Sequence, residues 1–323
     1  MASSPSRTAA LKLYSSRLSL FLIALVLFLV ALTGCRTNEE STAAAKQLTK
    51  AATSLSDYYA SLHTLLEETD RLYQLQAIMT PIAPYDEITR ARLHDTEAEI
   101  EKRQHLAAAL AETAKSYTAL AGSAAPATVA ASAANLQSAL SDLDSSHFGM
   151  SSGNLSLMQG SVKLIVGALK TRDEKLAAAQ MDQLATELAK WFAAEEPACN
   201  SIASTYASLS ESIALPLVMS GQTDLSAQFA PALTPYGLTP QLTDEALKAR
   251  LRDSTRAAIA TKSAAIIDQQ KKASAELAAS LTDAASRVHA IITRQPQDSS
   301  LHAPTGKQML GWLNTVHSIT SAK

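Results

Sequence analysis

Apolar residues recur along this chain at three-, four- and seven-residue intervals, and the breaks between the runs divide it into helices. Leu48, Leu55, Tyr59, Leu62, Leu66 and Tyr73 form one stripe. It predicts a helix of about 40 residues, ~60 Å long at 1.5 Å per residue. Met79-Thr80-Pro81-Ile82-Ala83-Pro84-Tyr85 interrupts the pattern. Asp86 is placed to cap a second helix, striped by Leu93, Ile100, Leu110 and Tyr117 and stopped at Gly122. So short a connection folds the two into an antiparallel hairpin over 47–122.

The stretch 123–172 reads as shorter helices and a loop. Ala125-Pro126 opens a helix reaching about Asp144, and Ser145 to Gly153 is rich in serine and glycine. The next helix, Asn154 to Arg172, carries Leu155, Met158, Val162, Ile165 and Leu169 on its apolar side. Gly160 and Gly167 stand one heptad apart on it. Either another helix approaches closely there, or the glycines are neutral in a short helix.

A second long helical pair is expected over 173–295. Leu184, Leu188, Trp191, Ile202, Tyr206, Leu209 and Ile213 keep phase across Glu195-Glu196-Pro197, where the proline predicts a kink or restart. Pro216 and Gly221 close this helix, and Gln222 to Gln241, with three prolines, reads as a long ordered loop. Thr243 caps the last long helix, striped by Leu247, Leu251, Leu277, Leu281, Val288 and Ile291 and ended by Gln295-Pro296. Over 296–323, Met309, Trp312, Leu313, Val316 and Ile319 predict a short C-terminal helix that docks on the bundle.

Two segments echo one another. Tyr59-Ala60-Ser61-Leu62 recurs as Tyr206-Ala207-Ser208-Leu209, and Pro84-Tyr85 as Pro235-Tyr236. Ala91-Arg92-Leu93-His94-Asp95 resembles Ala249-Arg250-Leu251-Arg252-Asp253. The matches fit an internal duplication, and Ala-rich helices also generate them by chance. Composition settles the class. With 10 Gly, 11 Pro, 5% aromatic and 18% charged residues, the chain suits small side chains between helices. The expectation is all-α: an elongated antiparallel bundle of long Ala-rich helices with a short C-terminal helix.

The first 34 residues are of a different kind. Arg7, Lys12 and Arg17 precede an apolar run from Leu18 to Leu32, which ends in Leu32-Thr33-Gly34-Cys35. This resembles the lipobox of bacterial lipoproteins, and the resemblance covers the leader only. It implies cleavage between Gly34 and Cys35, lipidation of Cys35, and a lipidated tether over 35–46. It further implies a lipid-anchored protein of the bacterial envelope, facing the periplasm. Residue 36 is Arg rather than Asp, which by the same resemblance favours the outer membrane over the inner. The alternative is an uncleaved anchor helix, for which the run is short. With Cys35 lipidated, Cys199 has no internal disulfide partner and suits a buried position in a helix. Loss of the leader leaves 25 basic and 30 acidic residues, a formal charge of −5 with no basic block for nucleic acid.

Candidate chemistry is sparse. There is no Gly-rich nucleotide loop, no Gly-x-Ser-x-Gly elbow and no His-Glu-x-x-His. His94, Glu97, Glu101 and His105 recur at three- and four-residue spacing on the second helix, and His63, Glu67 and Asp70 on the first. Folding the hairpin about residue 82 places 63 near 101 and 70 near 94, a conceivable metal cluster. The stripes turn Glu67 and Asp70 outward, so a solvated face with i,i+4 ion pairs is the preferred reading, and no cofactor is expected. His147, His289, His302 and His317 show no ligand spacing. Trp191 and Trp312 lie on apolar stripes and are expected in the core. Tyr85 and Tyr236, each beside a proline in a loop at the end away from the membrane, are the candidate partner-binding residues. If they do not bind a partner, they pack back over their own helix ends.

The expectation is a non-enzymatic membrane-anchored spacer or docking platform with an envelope protein partner. Two alternatives stand beside it: a bundle that holds a lipid or small ligand in an apolar cavity, and a metal-dependent enzyme.

Overall fold

Long stretches of Ala, Leu, Ser and Thr with few glycines let the chain stay helical for many turns. The computed structural model describes residues 7–79, 85–121, 126–143, 152–171 and 174–293, with Asn314, Val316 and Ser318 near the C-terminus. Its helices are α1 (Arg7–Met79), α2 (Glu87–Ala121), α3 (Pro126–Ser141), α4 (Ser152–Thr171), α5 (Glu174–Met219), α6 (Ala230–Leu233) and α7 (Glu245–Thr293). The described residues contain no strand, and the protein is an all-α bundle. Gly122, residues 145–151 of the mid-chain loop, Gln295-Pro296, and Met309, Trp312, Leu313 and Ile319 lie outside the described residues, as do His147, His302 and His317.

Caps fix where two helices begin. The Asp86 carboxylate accepts the Thr89 backbone N–H at 2.6 Å, as its position in the sequence suggested. For α7 the cap is Asp244 rather than Thr243, since its Oδ1 accepts from Ala246 and Leu247 at 2.8 and 3.2 Å. Neither proline breaks α5. Pro197 and Pro216 both lie inside one continuous helix. A proline removes a single ladder bond, and the buried Trp191, Phe192, Cys199 and Ile202 hold the helix on both sides of Pro197. The helix ends at Met219, and Gly221 follows with φ of +75°, a conformation open to glycine at no steric cost. The loop after it is ordered into 3₁₀ turns at Ser226–Phe229 and Thr234–Tyr236 around α6.

The helices close a ring. α1 packs on α2, α2 on α3, α3 on α4, α4 on α5 and α5 back on α1, while α7 lies against α5 and α1. Side-chain bonds give the directions. Tyr59 meets Glu195, and Gln76 meets Ser212, both 136 residues apart, so α1 and α5 run parallel. Tyr58 with Gln270 and Asp182 with His289 show α7 antiparallel to both. Thr113 pairs with Ser132, and Gln159 with Leu140, which puts the top of the short α3–α4 hairpin close to the level of Arg103. Six helices therefore surround the lower body, and only α1, α2, α5 and α7 continue upward.

The core fills the lower body. Leu48, Leu55, Leu62, Leu65, Ile100 and Leu106 are buried, and Ala45, Ala52, Ala107 and Ala273 let neighbouring backbones approach. Val316 is buried in the same core, in keeping with a docked C-terminal segment.

The structure bears on four of these readings. The tether is not a separate linker: α1 runs through it, and Ala44 and Ala45 already lie in the core. Of the two readings of Gly160 and Gly167 it favours the neutral one, since an added Cβ would meet nothing within 4 Å at either. The sequence echo has no level counterpart. Tyr206 follows Tyr59 by 147 positions, against the 136 that separates level residues of α1 and α5. The copies therefore stand about 16 Å apart in height. The stripe of α7 is buried only in its lower part, with Leu247 38% exposed and no buried residue before Ser263.

Candidate functional site

The described residues contain two concentrations of unusual surroundings, one at the upper end and one at the top of the core. At the upper end α1, α2, α5 and α7 have too few neighbours to cover their apolar sides. Leu75, Ile78 and Met79 on α1, Ile88 on α2 and Met219 on α5 are exposed, as are Tyr236, Leu238 and Leu247 around the start of α7. These are eight of the eleven exposed large hydrophobics among the described residues, so within the described body exposure concentrates at this end. Ile78 and Tyr236 are the extremes, each 77% exposed.

The two candidate tyrosines part company here. Tyr236 is open, on a turn closed by Gly237 with φ of +67°. Tyr85 is not a free anchor. Its ring stacks on Tyr73 at 5.3 Å, the Arg90 guanidinium covers it at 5.1 Å, and its hydroxyl donates to Asp70. Partial burial and Asp70 push its pKa up to about 12. Tyr85 thus packs back over its own helix ends. A groove of about 470 Å³ lies beside it between α1 and α5, lined by Tyr73, Gln76 and the hydroxyls of Ser204, Thr205, Ser208 and Ser212. Leu209 lines it too, and it is open to solvent, unlike the enclosed apolar cavity that a lipid binder needs.

At the top of the core lies a buried polar layer. Arg103 Nε donates to Glu195 at 2.8 Å, and Nη1 donates to Glu99 at 2.6 Å, across the ring from α2 to α5. Tyr59 donates to the second oxygen of Glu195 at 2.8 Å. Arg103 and Glu195 are fully buried. Burial pushes the Glu195 carboxyl above its ordinary value against the pull of Arg103, with Trp191, Tyr59 and Arg103 also favouring the charge. Burial acts the same way on Glu99, but its hydrogen bonds from Lys102 and Arg103 win and hold it below the ordinary value. Tyr58, Tyr59 and Phe192 pack edge to face around the layer, Trp191 lies tilted at 30° to Tyr59, and Gln270 of α7 donates to Tyr58 at 2.6 Å. Cys199 is buried beside them, its thiol pushed well up by desolvation, so it is not poised as a nucleophile.

No family model, curated protein or solved structure matches this chain.

The helix-two residues proposed as metal ligands divide. His63 of α1 lies 3.5 Å from Glu97 and not beside Glu101, so α1 and α2 pair four residues away from the expected register. His94 lies 3.3 Å from the other Glu97 oxygen, and Glu67 4.0 Å from His63. Glu101 and His105 are exposed and stand apart from this group. Asp70 is taken by Tyr85 and Gln74. His289 pairs with Asp182 at 2.8 Å. Gly34 and Cys35 fall on α1, and their side chains lie outside the described residues.

The Arg103–Glu195 layer was the feature sequence reasoning missed. Its signal was available: Arg103 shares the apolar phase of Ile100, Leu106 and Leu110, and Glu195 that of Leu188, Phe192 and Cys199. A charge on an apolar stripe at helical spacing marks a buried pair.

Proposed function

We propose that this chain is a lipid-anchored protein of the bacterial envelope, held through Cys35 and not an enzyme. Its helical body acts as a spacer, and its upper end docks an envelope protein. The observation that carries the reading is the concentration of exposed apolar side chains at the end opposite the N-terminal lipobox-like leader. From Ala44 to Met79, α1 spans 36 residues, about 54 Å, which is a useful stand-off from a membrane surface. The inward-facing chemistry supports a structural role: the buried charges Arg103, Glu99 and Glu195 pair with one another.

The membrane attachment is tested by metabolic labelling with palmitate, which marks the wild-type chain and not Cys35→Ser. Label on the serine variant overturns the anchor. Docking is tested by in-cell cross-linking of the full lipidated chain and mass spectrometry of what is attached. A specific envelope protein is recovered, and the double variant Ile78→Asp, Tyr236→Ser loses it with an unchanged melting temperature. Undiminished capture by that variant, or recovery of the chain alone, overturns docking through this end.

A further inference from the structure

Just above the Arg103 layer, on the α1–α2 face, two imidazoles and two carboxylates converge. His63 and Glu67 are one turn apart on α1, and His94 and Glu97 nearly so on α2, so each pair shares a helix face. Glu97 sits between the helices: one oxygen is 3.5 Å from His63 Nε2, the other 3.3 Å from His94 Nδ1. One ligand atom each from His63, Glu67 and Glu97 can be chosen so that all lie within 4.8 Å of one another. Among the described residues, the ion pairs of Glu67 and Glu97 are with histidine alone, with no Lys or Arg in range. The neighbouring carboxylates differ, since Glu68 takes Arg71 and Glu99 takes Lys102 and Arg103.

We propose that His63, Glu67 and Glu97 bind a divalent first-row metal ion, zinc in the first instance, that clips α1 to α2, with His94 as a positioning residue. A tetrahedral zinc with ligands at about 2.0–2.2 Å sets its ligand atoms about 3.4 Å apart. His63 Nε2 and Glu97 Oε1 already have that separation. Glu67 Oε1 lies 4.0 Å from the other ring nitrogen, Nδ1, and its exposed, unbranched side chain has to turn to bring the carboxylate to the Nε2 side. One imidazole with two carboxylates suits zinc better than calcium or magnesium, which take oxygen alone, or copper(I), which takes sulfur. Solvent supplies the fourth position on the exposed side. His94 holds the second oxygen of Glu97 and so aims the first, the usual work of a group behind a metal ligand.

The placement gives the clip a use. The described part of α3 ends near the level of Arg103, and among the described residues α2 has no helix partner above it but α1. A metal bridge there fastens the free part of the hairpin that carries Ile78 and Ile88. Occupancy would then stabilise the hairpin in proportion to RT ln(1 + [metal]/Kd).

The test is calorimetric titration of the full-length chain in detergent with Zn²⁺, repeated with Co²⁺ to read its visible d–d absorption. One ion per chain binds, Co²⁺ gives the intense bands of four-coordinate geometry, and Zn²⁺ raises the melting temperature. His63→Ala and Glu97→Gln abolish all three effects, with unchanged helical content in chelator. His94→Ala weakens binding about tenfold and leaves the stoichiometry intact. Glu101→Gln and His105→Ala, exposed on the same helix, bind as wild type. Absence of binding, or binding indifferent to both His63→Ala and Glu97→Gln, overturns the proposal. Loss of binding in Glu101→Gln or His105→Ala overturns it equally.

Discussion

Below the Tyr59 layer each long helix has neighbours on several sides, and Leu48, Leu55 and Leu277 are buried. Above it, helices of the same Ala- and Leu-rich make-up leave Leu75, Ile78 and Leu247 in solvent. The helices do not change character between the two regions; their number does. Where α3 and α4 stop, the surface they covered on α2 and α5 is left to the solvent. α7 records the change within one element, for its buried residues begin only at Ser263. Burial in this protein is set by how many helices share a cross-section, and hydrophobic patterning alone cannot report that number.

The comparison breaks first at the buried charges. Arg103→Ala leaves Glu195 desolvated and without its cation, and should cost about 3–5 kcal/mol in urea unfolding. A loss below about 1 kcal/mol would mean that the layer is wet and the core less closed than described. The next test sets the two regions side by side. Leu55→Ala should cost about 2–5 kcal/mol, and Ile78→Ser no more than about 0.5 kcal/mol. Equal losses would erase the distinction. The smallest effect is on pH dependence. Glu99 is held below its ordinary value of 4.5, so its contribution is complete above that value and lost as pH falls through the lowered one. Thermal melts should show the acid limb of wild type falling more steeply than that of Glu99→Gln.

Helix order, hairpin pairing and the position of the tyrosine-bearing turns were legible in the sequence, because apolar residues at helical spacing and a few Pro and Asp residues state them locally. The Asp86 cap is such a local signal. What was not legible is non-local. Glu195 lies 92 residues from Arg103, and read in sequence it belongs to a charged pair before a proline, the look of a break and not of a core. The His63–Glu97 contact was within reach, but the expected hairpin register set 63 beside 101, whereas His63 lies 3.5 Å from Glu97. Tyr85 is not an exposed anchor because Tyr73 and Asp70 at the end of α1 and Arg90 at the start of α2 converge on it.

Alanine faces are smooth. Two helices that meet through Ala45, Ala52, Ala107 and Ala273 find little in their contacts to oppose sliding along their axes. The Arg103–Glu195–Tyr59 contacts act as an index mark against such sliding. A shift of one turn, about 5.4 Å, would carry Glu195 beyond hydrogen-bonding reach of both partners at once and strand a charge in the core. The relative heights of α1, α2 and α5, and with them the shape of the upper end, are thereby read off a single buried carboxylate.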